Sequence, residues 1–347
     1  MKNNPRNLKT AMFYKKDKEK AVKCTLCPRE CRIQEGLKGF CELRQNFNGQ
    51  LKTLSYGRST YMSVEPIEMN AVFHFEPGAQ TISIGTYGCN LKCKYCQAWK
   101  YTRIKHVDFS KLIDLTPEQV VKTAKLHNIK FLSWTFNDPI SWYEFVYDTA
   151  KLAKKEGILS IFKSSHYLNL EPIKKISKYV DIFSVSIKSF REEFYKQVSS
   201  ATLKPVLEAA KLIRKLGKHL EVCTLIVPTL NDSFKEIDGL SKWIKKELGS
   251  KTPYHLACFH PDYLMTDIRR TSLEDVNRAR EIALKNGLEY VYVGNVFKDN
   301  SLNTYCHQCH TKLVTRVGVD TRLSSNLVHS SYSKCRRCGS PVPIKFL

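Results

Sequence analysis

Residues 81–96 read TISIGTYGCNLKCKYC, a short β-rich run followed by three closely spaced cysteines. The run predicts a strand, and Gly88 allows the backbone to turn tightly after it. Cys89, Cys93 and Cys96 have the spacing C-x3-C-x2-C. Three thiolates are one fewer than the four that saturate a [4Fe–4S] cluster, so a cluster held here keeps one iron open to another ligand. A zinc loop is the alternative interpretation, but a structural zinc usually has four protein ligands.

Similar β-rich runs recur downstream and alternate with amphipathic stretches. Together with the first run, they are Thr81–Thr86, Phe131–Phe136, Leu159–Ser165, Asp181–Lys188, His219–Val227, Tyr254–Phe259 and Glu289–Asn295. Strand–helix units in this order predict a parallel sheet with right-handed crossovers. Six or seven units favour a full or partial (β/α) barrel, in which reacting groups lie at the C-terminal ends of the strands. A doubly wound open sheet is the alternative.

Helix signals fall between these runs. Residues 116–119 (TPEQ) give an N-cap threonine, a proline at the first helical position and a capping-box glutamine. Residues 233–236 and 271–274 repeat the capping-box pattern, starting at Ser233 and Thr271. The glycines that follow helical stretches and precede strands are Gly157, Gly217 and Gly287. Glycine is favoured directly after a helix, so these residues predict helix ends.

The composition is that of a globular protein with excess positive charge. The chain has 347 residues, of which 42% are hydrophobic, and a net charge of +23, which excludes a disordered chain. The lysines are spread along the whole sequence, so a solvated basic surface is the preferred interpretation of the charge. No apolar run approaches the length of a membrane span, and residues 1–20 contain no apolar signal segment. We therefore expect a cytoplasmic protein.

Two groups of four cysteines flank the repeated region. They are Cys24, Cys27, Cys31 and Cys41 on the N-terminal side, and Cys306, Cys309, Cys335 and Cys338 on the C-terminal side. Clustered cysteines in a reducing compartment are typical metal ligands. On the C-terminal side, the cysteines form two C-x2-C pairs, and a β-rich insert lies between the pairs. This arrangement resembles a zinc ribbon and predicts a bound zinc ion. The uneven N-terminal spacing fits either a zinc site or an auxiliary iron–sulfur cluster, and a structural metal is favoured.

The cysteine loop and several further motifs resemble the radical S-adenosylmethionine (SAM) enzymes. The loop carries an aromatic residue, Tyr95, before its last cysteine. The other matching stretches are C-x2-C-P-x2-C at 24–31 with GFC-x2-R at 39–44, CTLIVPTLNDS at 223–233, FHPDY at 259–263 and EYVYVGN at 289–295. Over most of the chain, these motifs are similar to the radical SAM proteins of the AmmeMemoRadiSam system, which are relatives of the pyruvate formate-lyase activating enzymes.

The resemblance implies a reaction and a set of cofactor contacts. The open iron would bind SAM, one electron from the cluster would cleave SAM to methionine and a 5′-deoxyadenosyl radical, and the radical would abstract hydrogen from a substrate. The SAM contacts implied by matching positions are Tyr95, Asn137, Asp138, Lys188 and His260. For Asn137 and Asp138, a turn or helix N-cap is the alternative interpretation.

Two positions depart from the activating enzymes. Lys163 and Ser186 stand where those enzymes carry acidic residues that help form a monovalent cation site. We expect no such cation here, and hypothesise that the Lys163 ammonium partly replaces its charge. A solvated strand end is the alternative interpretation of Lys163. His255 lies within a predicted strand, and a core position is the favoured interpretation.

We expect three parts: a Cys-rich segment (1–75), a radical SAM barrel (76–297) and a zinc-ribbon-like module (298–347). The expected function is that of an activase-like oxidoreductase with an unknown substrate. An RNA-modifying radical SAM enzyme and a non-catalytic, metal-stapled scaffold are the alternatives. Expected partners are a one-electron donor such as a ferredoxin or flavodoxin, and proteins of the AmmeMemoRadiSam system. A zinc ribbon and a net charge of +23 are compatible with nucleic acid as a partner, but the sequence lacks the dense aromatic–basic alternation of a stacking platform that would support it. No membrane interaction is expected.

Overall fold

The structure is a computed structural model that describes residues 8–329 and 333–347. The prediction that residues 1–20 lack a signal segment therefore falls partly on residues 1–7, which lie outside the described residues. Residues 330–332 of the C-terminal insert also lie outside them. Within the described residues, every helix is too short or too polar to cross a membrane.

Short antiparallel strands form the N-terminal segment. They are β1 (Tyr14–Lys16), β2 (Val22–Cys24), β3 (Arg32–Ile33), β4 (Arg44–Phe47), β5 (Gln50–Thr53) and β6 (Arg58–Ser59). Strands of this length bury little apolar surface by themselves. A buried ion pair between Arg44 and Glu144 joins the segment to the main body of the protein.

An eight-stranded, mostly parallel sheet forms the centre of the molecule. Its strands are β7 (Tyr61–Pro66), β8 (Gln80–Gly85), β10 (Phe131–Trp134), β11 (Leu159–Ser164), β12 (Ile182–Ser186), β13 (His219–Ile226), β14 (Tyr254–Cys258) and β15 (Val291–Gly294), while the short β9 (Ile113–Asp114) pairs with β6 outside the sheet. The order across the sheet is β7-β8-β10-β11-β12-β13-β14-β15, and β7 is antiparallel to β8.

This strand order decides between the two predicted architectures. Each parallel strand lies beside the next parallel strand in the chain, without the reversal of order that defines a doubly wound sheet. The (β/α) barrel prediction is therefore confirmed in its partial form, with β7 and β15 as the two edges of the sheet. All seven predicted strands are present. The added edge strand β7 comes from residues 61–66, so the sheet begins within the segment assigned as 1–75.

Helices connect the parallel strands. They are α1 (Trp99–Thr102), α2 (Pro117–Leu126), α3 (Tyr143–Lys155), α4 (Leu170–Ile176), α5 (Glu192–Phe194), α6 (Lys204–Lys215), α7 (Phe234–Leu248) and α8 (Leu273–Lys285). The capping box predicted at Thr116 and Gln119 is confirmed, with reciprocal hydrogen bonds of 3.2 and 2.8 Å. Gly157, Gly217 and Gly287 end helices with positive φ angles, as predicted.

The other two capping boxes differ from the prediction. The helix predicted to start at Thr271 starts one residue later, with Ser272 as N-cap and Asp275 as its partner. The Thr271 hydroxyl instead donates to the carbonyl of Ile226 (2.6 Å). Because of this bond, Thr271 does not cap the helix. Ser233 does cap α7, but the side chain of the expected partner, Glu236, turns to Arg191 and neighbouring groups instead. Tertiary contacts therefore override the local pattern at both helices.

Residues 67–79, the plug segment, connect β7 to β8 and fill the N-terminal end of the barrel. The side-chain oxygen of Asn70 accepts a hydrogen bond from Ser133 on β10 (2.7 Å). The carboxylate of Glu221 on β13 accepts hydrogen bonds from the backbone amides of Phe73 (3.0 Å) and His74 (2.8 Å). These bonds join the plug segment to strands on both sides of the barrel.

Glu221 is the centre of a buried polar cluster. Its carboxylate is fully buried and also accepts hydrogen bonds from Nε2 of His219 (2.9 Å) and Nε2 of His255 (2.7 Å). Burial acts to raise the pKa of Glu221, but the hydrogen bonds and charges of the two histidines outweigh it and hold the pKa well below its usual range. His255 is thus a core residue at the closed end of the barrel.

The C-terminal module packs against this same end. Its strands are β16 (Thr304–Tyr305), β17 (Lys312–Val317), β18 (Asp320–Leu323), β19 (Leu327–Val328) and β20 (Lys334–Cys335). The buried guanidinium of Arg316 donates to the carbonyl of Phe73 (2.9 Å) and lies 4.1 Å from the centre of its ring. The module therefore covers the plug segment, at the end of the barrel opposite the cysteine loop.

Candidate active site

The cysteine loop begins directly after β8, at the C-terminal end of the parallel strands. Gly88 has a φ of +75°, in the left-handed region that favours glycine. A Cβ atom at this position would lie 2.5 Å from Cδ1 of Leu43 in the N-terminal segment. Gly88 therefore turns the chain into the loop and also lets the N-terminal segment approach it closely.

Asn137 holds the loop to the strand ends. Its side-chain oxygen accepts a hydrogen bond from the backbone amide of Thr86 (3.1 Å), and its Nδ2 donates to the carbonyl of Gly88 (2.9 Å). Nδ2 also donates to the hydroxyl of Ser141 (3.1 Å). Both the oxygen and the nitrogen of the Asn137 side-chain amide are thus engaged in hydrogen bonds, and these bonds position the loop. Its role as a SAM contact stays a prediction.

Asp138 links the ends of β10 and β11. One carboxylate oxygen accepts from the hydroxyl of Ser164 (2.8 Å) and the backbone amide of Ile140 (3.2 Å). The other accepts from the backbone amide (2.9 Å) and hydroxyl (2.5 Å) of Ser165. The N-cap interpretation is confirmed, because Asp138 caps the short helix Pro139–Trp142. The two serines could not be identified from sequence, since their contact spans two strands.

Hydrogen-bond donors surround the cysteine sulfurs. Cys93 is buried, and Cys89 and Cys96 are partly buried. The backbone amide of Leu91 donates to Sγ of Cys89 (3.3 Å), and the hydroxyl of Thr102 lies 3.2 Å from Sγ of Cys96. Hydrogen bonds to sulfur are typical of the surroundings of metal-bound thiolates.

Arg103, which the sequence did not single out, fixes the shape of the loop. Its guanidinium is 6% exposed and donates to the carbonyls of Leu91 (3.3 Å) and Cys93 (3.0 Å). The buried positive charge therefore lies against the loop that carries the three thiols. Such a charge favours an anionic group bound by these thiols.

Charged side chains act on the thiols themselves. Burial raises the pKa of Cys89, and the negative charge of Asp138 raises it further. Burial also raises the pKa of Cys93, but the ammonium of Lys188 opposes this effect. Because iron binds the thiolate, loading of the site releases protons, and Lys188 favours the deprotonated form of its neighbour.

The remaining predicted SAM contacts are distributed around the same end of the barrel. Tyr95 is buried, with its ring centre 6.2 Å from that of Phe194. His260, in the loop after β14, is partly exposed, and its Nδ1 lies 2.9 Å from Nε2 of Gln97 in the segment after the cysteines.

Lys163, which was not predicted to contact SAM, donates from Nζ to the carbonyl of Met69 in the plug segment (2.8 Å). Its proposed replacement of a bound cation stays a prediction.

The loop after β14 is joined to the cysteine loop by further contacts. Nε1 of Trp99 donates to the carboxylate of Asp262 (3.0 Å), and the backbone amide of Leu264 donates to the carbonyl of Lys94 (3.0 Å). The rings of Trp99 and Tyr263 are stacked, with centres 5.5 Å apart. His260 is thus held near the cysteines by Asp262 and Tyr263, which belong to the FHPDY stretch, and by their contacts with Trp99, which the sequence did not single out.

The C-terminal cysteines form a compact tetrad. Sγ of Cys306 lies 3.6 Å from that of Cys338, and Sγ of Cys309 lies 3.6 Å from that of Cys335. All four sulfurs lie within 4.8 Å of one another. Hydrogen bonds from Thr311 lower the pKa of Cys309 to about 6, so this thiol is readily deprotonated. The tetrad has the geometry of a site for a single metal ion.

The N-terminal cysteines also come together, in a different geometry and place. They lie around one cavity between the N-terminal segment and the loop that contains Asn90. The C-terminal cysteines therefore form a compact tetrad, the N-terminal cysteines line one cavity, and Cys89, Cys93 and Cys96 share the loop after β8. Two of these three groups lie at the C-terminal end of the barrel strands and the third at the opposite end.

Comparison with known proteins agrees with this arrangement. Residues 83–244 match the family described as the Radical SAM superfamily. An uncharacterised protein of Methanocaldococcus jannaschii is 38% identical over 337 residues, which is 97% of this chain and 99% of that protein. The chain belongs to the radical SAM superfamily. Its cysteine loop lies inside the matched range.

More distant relatives of this radical SAM protein have assigned names. The pyruvate formate-lyase-activating enzyme of Clostridium pasteurianum is 24% identical over 227 residues, which is 61% of this chain and 91% of that enzyme. The crystal structure of a radical SAM methyltransferase from Sphaerobacter thermophilus matches with a TM-score of 0.50 and 17% identity, over 63% of this chain and 67% of that one. This structural match supports the fold alone.

Proposed function

We propose that this protein is an activase-like radical SAM oxidoreductase that cleaves SAM reductively and abstracts hydrogen from a substrate. The observation that carries the proposal is the position of Cys89, Cys93 and Cys96, grouped at the C-terminal end of β8 within a family that uses such a loop. When bound, a [4Fe–4S] cluster and SAM supply the electron transfer and the 5′-deoxyadenosyl radical that takes hydrogen from the substrate.

The residues present fit the cluster. Three thiols supply three of its ligands, and the fourth iron is left without a cysteine from this loop. Donors at Leu91 and Thr102 contact two of the sulfurs, and the buried guanidinium of Arg103 lies against the loop. These groups would stabilise the negative charge of a thiolate-bound cluster.

The chain would bind and orient SAM with groups around the same end of the barrel. The ammonium of Lys188 opposes the effect of burial, which raises the pKa of the Cys93 thiol, so its positive charge acts at the site where the SAM carboxylate would bind. Asp138 would favour the SAM ammonium group by its charge while its oxygens keep the ends of β10 and β11 together. Tyr95, Asn137 and His260 complete the proposed set of contacts.

The C-terminal tetrad is proposed to hold a structural zinc ion. A zinc ion about 2.3 Å from four tetrahedral sulfurs holds them about 3.8 Å apart, and the two sulfur pairs are separated by 3.6 Å. The tetrad lies at the end of the barrel opposite the cysteine loop. Zinc would therefore hold the module over the plug segment and take no part in the chemistry.

The proposed reaction bears on the cellular location, the electron donor and the partner proteins of the enzyme. We propose a cytoplasmic location, a reducing compartment in which clustered cysteines serve as metal ligands. The reaction needs a one-electron donor such as a ferredoxin or flavodoxin. Membership of the AmmeMemoRadiSam group, and interaction with its associated proteins, belong to the same proposal and are supported by the sequence motifs.

Production of 5′-deoxyadenosine tests the proposal. The full chain is loaded anaerobically with iron and sulfide, reduced with dithionite and given SAM, and 5′-deoxyadenosine is measured by chromatography. We expect its formation in the unmodified protein and its loss in Cys93→Ala. The matched control is Cys258→Ala, which removes a buried thiol that belongs to none of the three cysteine groups. The control is expected to retain the activity.

Three outcomes would contradict the proposal. A cluster that loads but yields no 5′-deoxyadenosine with any reductant would favour the non-catalytic scaffold. Equal activity in Cys93→Ala and in Cys258→Ala would remove the cysteine loop from the reaction. Absence of any cluster bound by the loop would also exclude the proposed chemistry.

A further inference from the structure

The N-terminal and C-terminal cysteine groups enclose different amounts of space. The C-terminal sulfurs approach one another to 3.6 Å in pairs. The four N-terminal cysteines instead line a shared cavity that admits a sphere the size of a water molecule. A zinc ion about 2.3 Å from four sulfurs occupies the gap between nearly touching atoms, which leaves no such cavity. The N-terminal thiols therefore leave more room than a single zinc ion needs.

The walls of this cavity are mostly apolar. Leu26, Ile33 and Ile140 contribute side chains, and Gly39 closes one side. A Cβ atom at Gly39 would lie 3.1 Å from Cδ1 of Ile33 and 3.8 Å from Sγ of Cys31, so the backbone packs tightly against the sulfur. Sulfur and hydrocarbon walls suit a sulfur-rich inorganic group and keep water away from it.

One of the thiols accepts a hydrogen bond from a buried arginine. Nη1 of Arg44, a residue that is 2% exposed, lies 3.6 Å from Sγ of Cys24, and another of its nitrogens pairs with Glu144. Within the described residues, Nε of Arg44 is buried with no hydrogen-bond partner. Buried donors and a buried cation favour an anionic, thiolate-bound cluster.

The cavity shares a wall with the cysteine loop. Asn90, which directly follows Cys89, lines the cavity, and its carbonyl accepts a hydrogen bond from Nε of Arg29 (2.7 Å). Ser141, another wall residue, is hydrogen-bonded to Asn137, which in turn bonds to the loop at Gly88. A metal group in this cavity would therefore lie beside the proposed radical site.

We propose that Cys24, Cys27, Cys31 and Cys41 bind a second [4Fe–4S] cluster rather than zinc. Each iron of this cluster receives one cysteine, so no iron is left open to a substrate. The second cluster is a fully ligated, redox-active centre next to the radical site, and the protein holds iron–sulfur clusters at one end of the barrel and zinc at the other.

Metal content in a variant that lacks the first cluster tests the proposal. The full chain with Cys89→Ala, Cys93→Ala and Cys96→Ala is purified anaerobically from iron-supplemented cells. We expect about four irons and about four sulfides per chain, with about one zinc ion from the C-terminal tetrad. Reduction with dithionite should give the electron paramagnetic resonance signal of a reduced cluster. Adding Cys24→Ala, Cys27→Ala and Cys31→Ala together should remove the iron and leave the zinc, because a single remaining cysteine cannot hold a cluster, whereas adding Cys258→Ala should remove neither.

The zinc content also reports whether the variant is folded. About two zinc ions without iron, or about one zinc ion with an empty N-terminal site, would overturn the proposal. Iron that persists after Cys24, Cys27 and Cys31 are all replaced by alanine would overturn it as non-specific binding. If the triple variant misfolds, the unmodified chain provides the test, with about eight irons expected against about four for a single cluster. The measurement does not depend on the proposed SAM reaction, because the variant lacks the ligands for that reaction.

Discussion

Replacing Glu221 by glutamine perturbs the contact between the plug segment and the barrel. The carboxylate accepts hydrogen bonds from the amides of Phe73 (3.0 Å) and His74 (2.8 Å) and from the rings of His219 (2.9 Å) and His255 (2.7 Å). Glutamine keeps the shape but has one acceptor oxygen, and its NH2 group would face donors that now have no partner. The negative charge at the centre of the cluster is also lost.

The expected cost follows from the loss of one acceptor oxygen and of the charge. Either oxygen accepts from at least one histidine ring, and a hydrogen bond to a charged acceptor contributes about 1.5–3 kcal/mol. Removing one partner of a buried charged pair costs about 3–5 kcal/mol in total, because the remaining partner is left uncompensated. At about 2 °C for each kcal/mol in a chain of this size, the unfolding midpoint of Glu221→Gln should fall by about 6–10 °C at pH 7.

The pH dependence gives a second reading. The pKa of Glu221 is held well below its usual range in the folded protein, whereas in the unfolded chain it is about 4.3. The stabilisation from its charge is therefore complete above pH 4.3 and is lost as the pH falls further and the group becomes protonated. The difference between wild type and variant should be largest at pH 7 and should shrink below about pH 4.

Thermal unfolding of the metal-loaded protein, followed by circular dichroism at pH 7 and pH 5, measures both effects. The matched control is Glu208→Gln, which removes an exposed pair with Lys211 (2.7 Å) and should cost less than about 1 kcal/mol. A midpoint change below about 2 °C at pH 7 would refute the reasoning. Because both pH values lie above the pKa of about 4.3 in the unfolded chain, the loss should be nearly equal at both. A loss that is already much smaller at pH 5 would show that the charge of Glu221 is not responsible.

Further changes test the proposed active site and the two modules. Asp138→Asn should slow 5′-deoxyadenosine formation at least about tenfold at equal iron content. The NH2 group of asparagine would face the backbone amide of Ile140 or of Ser165, each of which donates to a carboxylate oxygen in the native protein. An unchanged rate would contradict the positioning role of Asp138. Lys188→Ala should raise the dissociation constant of SAM about tenfold, measured by equilibrium dialysis, while Lys188→Arg restores most of the affinity; equal affinity in all three proteins would remove Lys188 from the site. Gly88→Ala should lower the free energy of unfolding by about 1–3 kcal/mol, because the methyl group would overlap the buried Leu43 and the backbone φ is positive. An unchanged unfolding midpoint would show that the N-terminal segment can shift away from residue 88 without cost. Cys335→Ala should release the zinc and lower the unfolding midpoint, with 5′-deoxyadenosine formation retained at 25 °C; loss of activity in folded protein would give the C-terminal metal a role in the reaction.

Features with a strong local signal could be predicted from the sequence. The runs of β-branched residues that became β8 and β10–β15 are buried on both faces, so their composition alone separates them from the helices. Gly157, Gly217 and Gly287 could be placed because only a positive φ at a helix end favours glycine so strongly. The cysteine loop followed from its spacing and from its position after a strand.

Features that depend on distant contacts could not be predicted. The plug segment has little periodicity, and its position depends on Glu221, which lies about 150 residues away in the chain and reads locally as an ordinary strand residue. Arg103 and the serines after β11 act only because the fold brings them to the cysteine loop and to Asp138. The Thr271 capping box failed for the same reason, since the threonine is used by the carbonyl of Ile226.

The hydrogen bond from Arg316 to the carbonyl of Phe73 joins residues that are 243 positions apart. During translation the N-terminal part of a protein leaves the ribosome first and begins to fold. All strands of the barrel are therefore synthesised before the plug segment receives its last donor and its cover. A nascent chain stalled before Arg316 is expected to be cut by proteases within residues 67–79, which the completed chain protects.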